Sequence, residues 1–295
     1  MKLATLTIKD GNAEARPIVA EIDTATGVAW PLTGADDMLS LIRAGDAGLR
    51  ELSRRETSYR LDQVKLAAPL QRPPRNIMCI GKNYFDHAHE FARSGFDSST
   101  QDVARDAVPA APIVFTKMPE TVIADGEPIA YPHGVSDCLD YEAELAIIIG
   151  RGGRGISRAD ALSHVWGYTI INDVTARDLQ GKHKQWFLGK SQDGFCPMGP
   201  WIVTSDEIDP TTLRVRCWAG EELRQDASTG SLIFDIPTLI EIISAGITLI
   251  PGDVIATGTP AGVGIGFDPP RYLHPGDRVT IEISGIGRLS NLVGA

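Results

Sequence analysis

The chain has little cysteine: four residues in 295, at Cys79, Cys138, Cys196 and Cys217. None forms a CxxC pair and the spacings are wide, so a zinc knuckle is not expected. Such cysteines are expected to be small buried apolar groups in a reducing cytoplasm. Positive charge is also scarce. Against 38 Asp and Glu stand 28 Lys and Arg, a net charge of −10. That field repels phosphate, which argues against nucleic acid and against an anionic membrane surface as partners. It leaves an acidic small molecule open, because a metal ion and a few local cations can reverse the sign inside one cleft. Long apolar runs are missing. Residues 145–149 form one of the longest, far short of a bilayer span. The first nine residues alternate like a short strand and lack the apolar core and cleavage site of a signal peptide, so a cytoplasmic location is expected. No long polar tract points to disorder.

What is present is ordinary globular material, 43% hydrophobic and 22% charged, enough for one large domain or two unequal ones. Residues 1–66 read as a small N-terminal α+β domain, with strands at 1–9, 18–22 and 28–30 and a helix over 36–52. Residues 67–75 contain three prolines, Pro69, Pro73 and Pro74. These block both helix and central strand and mark a linker. Residues 76–295 read as a larger domain of short strands, at 76–80, 113–116, 144–149, 168–172, 213–218, 254–258 and 278–283. Helices are expected at 83–91, 157–165 and 236–245, the second with Ser157 as N-cap and Asp160 three residues on. Many strands and few helices predict a mixed α/β chain, mainly β, built as a sandwich or barrel rather than a doubly wound sheet. Residues 92–110 lack periodicity and are expected to form a long loop that closes over a site as a lid.

The densest chemistry lies at Asp140-Tyr141-Glu142-Ala143-Glu144. On a strand, Asp140, Glu142 and Glu144 share one face. Neighbouring carboxylates repel, and a bound cation would resolve the repulsion. A second strand ends at Asp173. If it returns beside the first, Glu142, Glu144 and Asp173 meet as three hard oxygen ligands, suited to Mg²⁺ or Mn²⁺. The plain alternative is a polar strand face with an Asp in a turn. A rival motif follows. Gly150-Arg151-Gly152-Gly153-Arg154-Gly155 matches the glycine pattern of dinucleotide-binding proteins, which would make this a non-catalytic dinucleotide binder. The capping signal lies beyond the last glycine, acids precede the run and no series of βαβ units follows, so a tight turn is the simpler reading.

Five blocks, in order, make a recognisable set. They are Ile80-Gly81-Lys82-Asn83-Tyr84-Phe85-Asp86-His87; Phe115-Thr116-Lys117; Asp140 to Ala146; Asn172-Asp173-Val174-Thr175-Ala176-Arg177-Asp178-Leu179-Gln180; and Gly189-Lys190-Ser191, with Thr257-Gly258-Thr259-Pro260 downstream. With them the chain resembles the fumarylacetoacetate hydrolase family from about residue 75 to 290. The resemblance implies a mixed β-sandwich roll, a homodimer, and Mg²⁺ or Mn²⁺ on Glu142, Glu144 and Asp173. It implies His87 and Glu90 as a general-base pair and Lys190 as the stabiliser of a developing oxyanion. Gln180, Gly258 and Thr259 match its substrate-contacting positions. Gln192 stands where the family often carries an aromatic, and Met118 where it often carries Pro.

The residues themselves allow this chemistry without demanding it. A keto-acid chelates a divalent metal, which then acts as a Lewis acid on the enolate formed when a C–C bond breaks. Hydrolysis also needs an activated water. On a helix His87 and Glu90 share a face, and a carboxylate can fix the imidazole tautomer. A surface pair would have the same spacing; His89, on another face, is expected to be only that. Lys190 could equally be a solvated loop lysine, and Arg177 could bind a substrate carboxylate or a neighbouring acid. The expected function is a metal-dependent hydrolase that cleaves a C–C bond in an acylpyruvate or 2,4-dioxo acid. The alternative within the family is a decarboxylase or isomerase of a small keto-acid.

Overall fold

The computed structural model describes residues 1–8, 16–95 and 107–295. Strands β1 (Lys2–Ile8), β2 (Arg16–Asp23) and β3 (Val28–Thr33) form an antiparallel meander, with Leu3 opposite Glu21 and Ala20 opposite Pro31. Helix α1 (Met38–Glu51) follows. Asp37 caps it by accepting a hydrogen bond from the Ser40 N–H, and Met38, Leu41 and Ile42 are its buried stripe. The three strands and the helix expected in residues 1–66 are all present. β1 also pairs with a strand far along the chain, Leu3 opposite Ile202, so the N-terminal meander continues the main sheet.

Residues 67–75 form neither helix nor long strand. They are nonetheless tied down: the Thr5 hydroxyl donates to the Pro69 carbonyl at 2.9 Å, and Arg75 pairs with Asp253. Beyond them come β4 (Ile77–Gly81), α2 (Phe85–Arg93), β5 (Ile113–Lys117), β6 (Ala143–Ile149) and β7 (Val165–Asn172). Two short helices, α3 (Arg177–Lys182) and α4 (Phe187–Lys190), lead to β8 (Cys196–Thr204), β9 (Arg214–Ala219) and β10 (Glu222–Ser228). Helix α5 (Ile236–Gly246), β11 (Val254–Ala256), β12 (Arg278–Ile283) and β13 (Gly287–Leu292) complete the chain. The main sheet runs β3-β2-β1-β8-β7-β6-β11-β4-β5, and β11 and β4 lie parallel. A second, antiparallel sheet runs β10-β9-β12-β13. This is a mixed α/β fold, mainly strand. Every residue of β6, β7 and β8 is buried, which explains their near-continuous apolar sequences.

Two expectations fail. No α-helix spans 157–165. Ser157 and Asp160 spend their capping groups on each other in a turn, a single 3₁₀ turn follows at Ala161–His164, and Val165 already belongs to β7. The glycine run is therefore followed by no helix N-terminus that could face a pyrophosphate. It is the turn between antiparallel β6 and β7, where the Gly150 backbone packs on the Trp166 side chain and the Gly153 N–H donates to the Leu249 carbonyl. The dinucleotide reading falls with it. Strand β8 is not among the expected strands, and Pro197, Gly199 and Pro200, which disfavour a strand, lie within it. Residues 92 and 93 extend α2 instead of opening a loop. Most of the expected lid, residues 96–106, lies outside the described residues. Cys79, Cys196 and Cys217 are buried and free, and burial pushes the Cys196 thiol up to about 12. Among the described residues no helix is long and apolar enough to cross a membrane.

Candidate active site

The register of β6 against β7 builds the centre. Ala143 lies opposite Asn172, so the next positions outward, Glu142 and Asp173, are cross-strand neighbours. The Asp173 N–H donates to the Glu142 carbonyl at 2.9 Å, and the Glu142 N–H to the Asn172 side-chain oxygen at 3.0 Å. Glu144, two residues along the strand, points to the same side. One carboxylate oxygen from each of Glu142, Glu144 and Asp173 lies within 4.8 Å of the others, and all three side chains are buried. Asp140 does not join them. The chain breaks pairing at residues 141–142, and the Asp140 carboxylate turns to Arg177 (2.8 Å) and to the N–H groups of Gly264 and Ile265.

Buried cations hold this acid cluster. Lys190 Nζ donates to Glu142 at 2.7 Å and to Asp173 at 2.8 Å. Lys117 Nζ donates to Asp173 at 2.7 Å, to the Val174 carbonyl at 3.0 Å and to the Lys190 carbonyl. Arg177 Nη2 lies 2.7 Å from Glu142 Oε1, near enough to pair charge but misaligned for a hydrogen bond. Burial opposes ionisation of Glu142, yet Lys190, Arg177 and His87 together hold its carboxyl well below the usual range. Burial likewise opposes the charge on Lys190, and Asp173 and Glu142 outweigh it, raising its pKa. Glu144 goes the other way. Burial, then the charges of Asp173 and Glu142, push its carboxyl well above the ordinary value, relieved in part by the Gly258 N–H at 2.9 Å. Three buried carboxylates with only oxygen donors, one of which resists ionisation, fit a divalent metal.

The expected base stands on α2. His87 Nδ1 and Glu90 Oε2 are 3.1 Å apart, three residues along the helix, and His87 is only 4% exposed. The other Glu90 oxygen accepts the Gly262 N–H at 2.9 Å. Gly262 has φ +102, a conformation that costs glycine little and any larger residue more. His89 is exposed, as expected. His87, Glu142, Glu144, Gln180, Lys190 and Thr259 line one cleft, together with the aromatic side chains of Phe91, Phe115 and Trp186. Gln180 accepts from Arg177 at 3.1 Å and the Thr259 hydroxyl accepts from Gln225 at 2.7 Å. Gly258 serves Glu144 from behind. Sequence reading gave no role to Lys117, although it stands in one of the quoted blocks. The signal was a lysine at the end of an apolar strand, 0% exposed here.

Residues 76–294 match the domain described as fumarylacetoacetate (FAA) hydrolase C-terminal. The chain belongs to the fumarylacetoacetate hydrolase family. It is 51% identical over 237 residues to the oxaloacetate tautomerase YisK of Bacillus subtilis, covering 80% of this chain and 75% of that one. The fumarylacetoacetate hydrolase of Exiguobacterium antarcticum superposes over the full length of both chains with a TM-score of 0.83 at 40% identity. The maleylpyruvate hydrolase of Sphingobium sp. SYK-6, solved with manganese(II) and pyruvate, superposes over 100% of this chain and 99% of that one with a TM-score of 0.75 at 31% identity. The family is catalytic, and the acidic triad here is able to hold a metal.

Proposed function

We propose that this chain is a metal-dependent enzyme that interconverts the keto and enol forms of a short, oxaloacetate-like 2-keto acid. The observation that carries the reading is one cleft lined by His87, which Glu90 orients, and by Glu142 and Glu144 of the carboxylate triad. The 51% identity to a protein named for oxaloacetate tautomerisation points the same way.

A divalent ion, Mg²⁺ or Mn²⁺, on Glu142, Glu144 and Asp173 would polarise the substrate's carbonyl as a Lewis acid. The chain's own residues do the rest. Glu90 holds His87 Nδ1, which leaves Nε2 as the ring nitrogen to take a proton from the carbon beside the carbonyl and return it to oxygen. The Gly262 N–H fixes Glu90 in turn. Lys190 places positive charge beside the triad, where negative charge grows on the substrate oxygen. Phe91, Phe115 and Trp186 limit access of water.

A second reading is C–C hydrolysis of an acylpyruvate, favoured by the same His87–Glu90 pair, which could equally activate a water molecule. Loss of the enol absorbance of oxaloacetate, followed with and without Mg²⁺ or Mn²⁺ beside a panel of acylpyruvates, tests the two. Metal-dependent tautomerisation that fails in His87→Ala is the expected result. Cleavage of an acylpyruvate without tautomerisation would replace the first reading with the second, and inactivity toward every compound would overturn both.

A further inference from the structure

One stretch of backbone, residues 258–266, meets carboxylates from both halves of the site. The Gly258 N–H donates to Glu144 at 2.9 Å, the Gly262 N–H to Glu90 at 2.9 Å, and the Gly264 and Ile265 N–H groups to Asp140 at 2.7 and 3.0 Å. Glu144 belongs to the triad, Glu90 orients His87, and Asp140 holds Arg177. We infer that this strip sets the proton-transfer pair against the triad, and that Gly266, outside the lining of the cleft, is the positioning residue for Glu90. The inference rests on the reading of His87 as the base of the proposed reaction.

The strip is held from two sides. Val263 and Ile265 are buried in one apolar cluster with Phe91 and Trp186. Phe91 follows Glu90 in α2, so helix and strip are fastened side by side. From the other side the Tyr141 hydroxyl donates to the Gly262 carbonyl at 2.8 Å. Tyr141 lies between Asp140 and Glu142, so this contact ties the strip to the chain that carries the triad. Backbone donors anchored in this way cannot swing as side chains do, and they hold a carboxylate in one place.

The glycines of the strip are not alike. A β-carbon on Gly258 would lie 2.7 Å from Asn83 Cβ and 3.0 Å from the Ile80 carbonyl oxygen. On Gly262 it would overlap the Arg224 carbonyl, and on Gly264 the Arg271 carbonyl. Those obstacles are backbone, so substitution there would shift the strip itself. At Gly266 the three nearest atoms all belong to the Glu90 side chain. A β-carbon there would lie 2.5 Å from Glu90 Cγ and closer still to its carboxylate. Gly266 ends a 3₁₀ turn and takes no positive φ, so its own backbone does not require glycine. The position of Glu90 requires it. Alanine fits once Glu90 moves aside, which a flexible side chain can do at small cost.

The test reads the His87 ring directly. In Mg²⁺-loaded protein with ¹⁵N-labelled histidine, wild-type His87, assigned by its absence in His87→Gln, should show Nδ1 protonated and Nε2 bare. Gly266→Ala should give a mixture of tautomers, as should Glu90→Ala. Calorimetric Mg²⁺ affinity should stay near wild type. kcat for oxaloacetate tautomerisation should fall roughly 10- to 100-fold with KM little changed. The two substitutions should not add: the double variant should match Glu90→Ala alone, because the methyl group occupies space that Glu90 has vacated. If Gly266→Ala does not fold, adding Glu90→Ala should restore folding, and failure to do so would count against the inference. A wild-type ring signature in Gly266→Ala, additive losses in the double variant, or a fall in Mg²⁺ affinity as large as the fall in kcat would overturn it. If the ring signature depends on Gly266 but wild type does not tautomerise oxaloacetate, the proposed reaction falls and the positioning role stands.

Discussion

Strands β1–β3 and β6–β8 belong to one sheet, yet they carry different burdens. β3 mixes buried with half-buried residues, ends on the exposed Thr33, and contributes nothing to the cleft. β6, β7 and β8 are buried throughout, and Glu142 and Asp173 stand at the open ends of β6 and β7. A charge at an exposed edge is solvated and needs no partner. A charge at the end of a fully buried strand must be met by another charge or an ion, because desolvating it alone costs several kcal/mol. The acid triad and its three cations are the consequence of that location. The N-terminal meander should therefore matter for stability and the β6–β7 end for chemistry.

The sharpest way to break that division is to remove ligands. Glu142→Gln and Asp173→Asn should each abolish divalent-ion binding and activity, since each deletes one of few charged oxygens. Calorimetric titration with Mg²⁺ and Mn²⁺ checks this, and full binding in both variants would dissolve the site. Next in size, His87→Ala should slow proton transfer roughly 10²–10⁴-fold with metal affinity near wild type. Glu90→Gln should act in the same direction but less, and rates at saturating metal decide it.

A smaller effect concerns pH. Glu144 has its pKa raised, so in the metal-free protein it holds a proton at pH values where an ordinary carboxylate has lost its own. A metal ligand must be ionised, so binding releases that proton. Affinity should rise with pH from the ordinary carboxylate range up to the raised value, then level off. Titrations in buffers of different ionisation heat would reveal the proton, and an affinity flat with pH would contradict it. Smallest for the site is Leu6→Ala in β1. Leu6 is fully buried in the main core, so the change should cost about 2–5 kcal/mol of stability. Metal affinity well below the melting temperature should stay unchanged. Chemical denaturation beside calorimetry measures both, and a parallel loss would show that meander and site are coupled.

Much of the local pattern was readable in advance. The strands at 18–22 and 278–283 and the helix at 236–245 announce themselves through apolar periodicity. β8 does not, since two prolines and a glycine interrupt a strand whose burial comes wholly from its neighbours. The helix expected at 157–165 had a good cap and no length to use it, because β7 takes Val165 for the sheet.

The sequence by itself determined the pairs whose geometry is local. Glu142 and Glu144 face one way because strand side chains repeat every two residues, and His87 meets Glu90 because a helix brings i and i+3 together. It also carried the blocks that mark the family. Only the tertiary structure decided which distant groups those pairs would face. Asp173 joins the triad because Ala143 pairs with Asn172, and a register one residue off would turn it away. Asp140, on the expected carboxylate face, leaves it because strand pairing is broken at residues 141–142 and its carboxylate turns to Arg177. Lys117 reaches Asp173 across 56 residues of chain, and Lys190 reaches Glu142 across 48. Such contacts depend on which strands lie side by side, and backbone periodicity over a few residues carries no record of that.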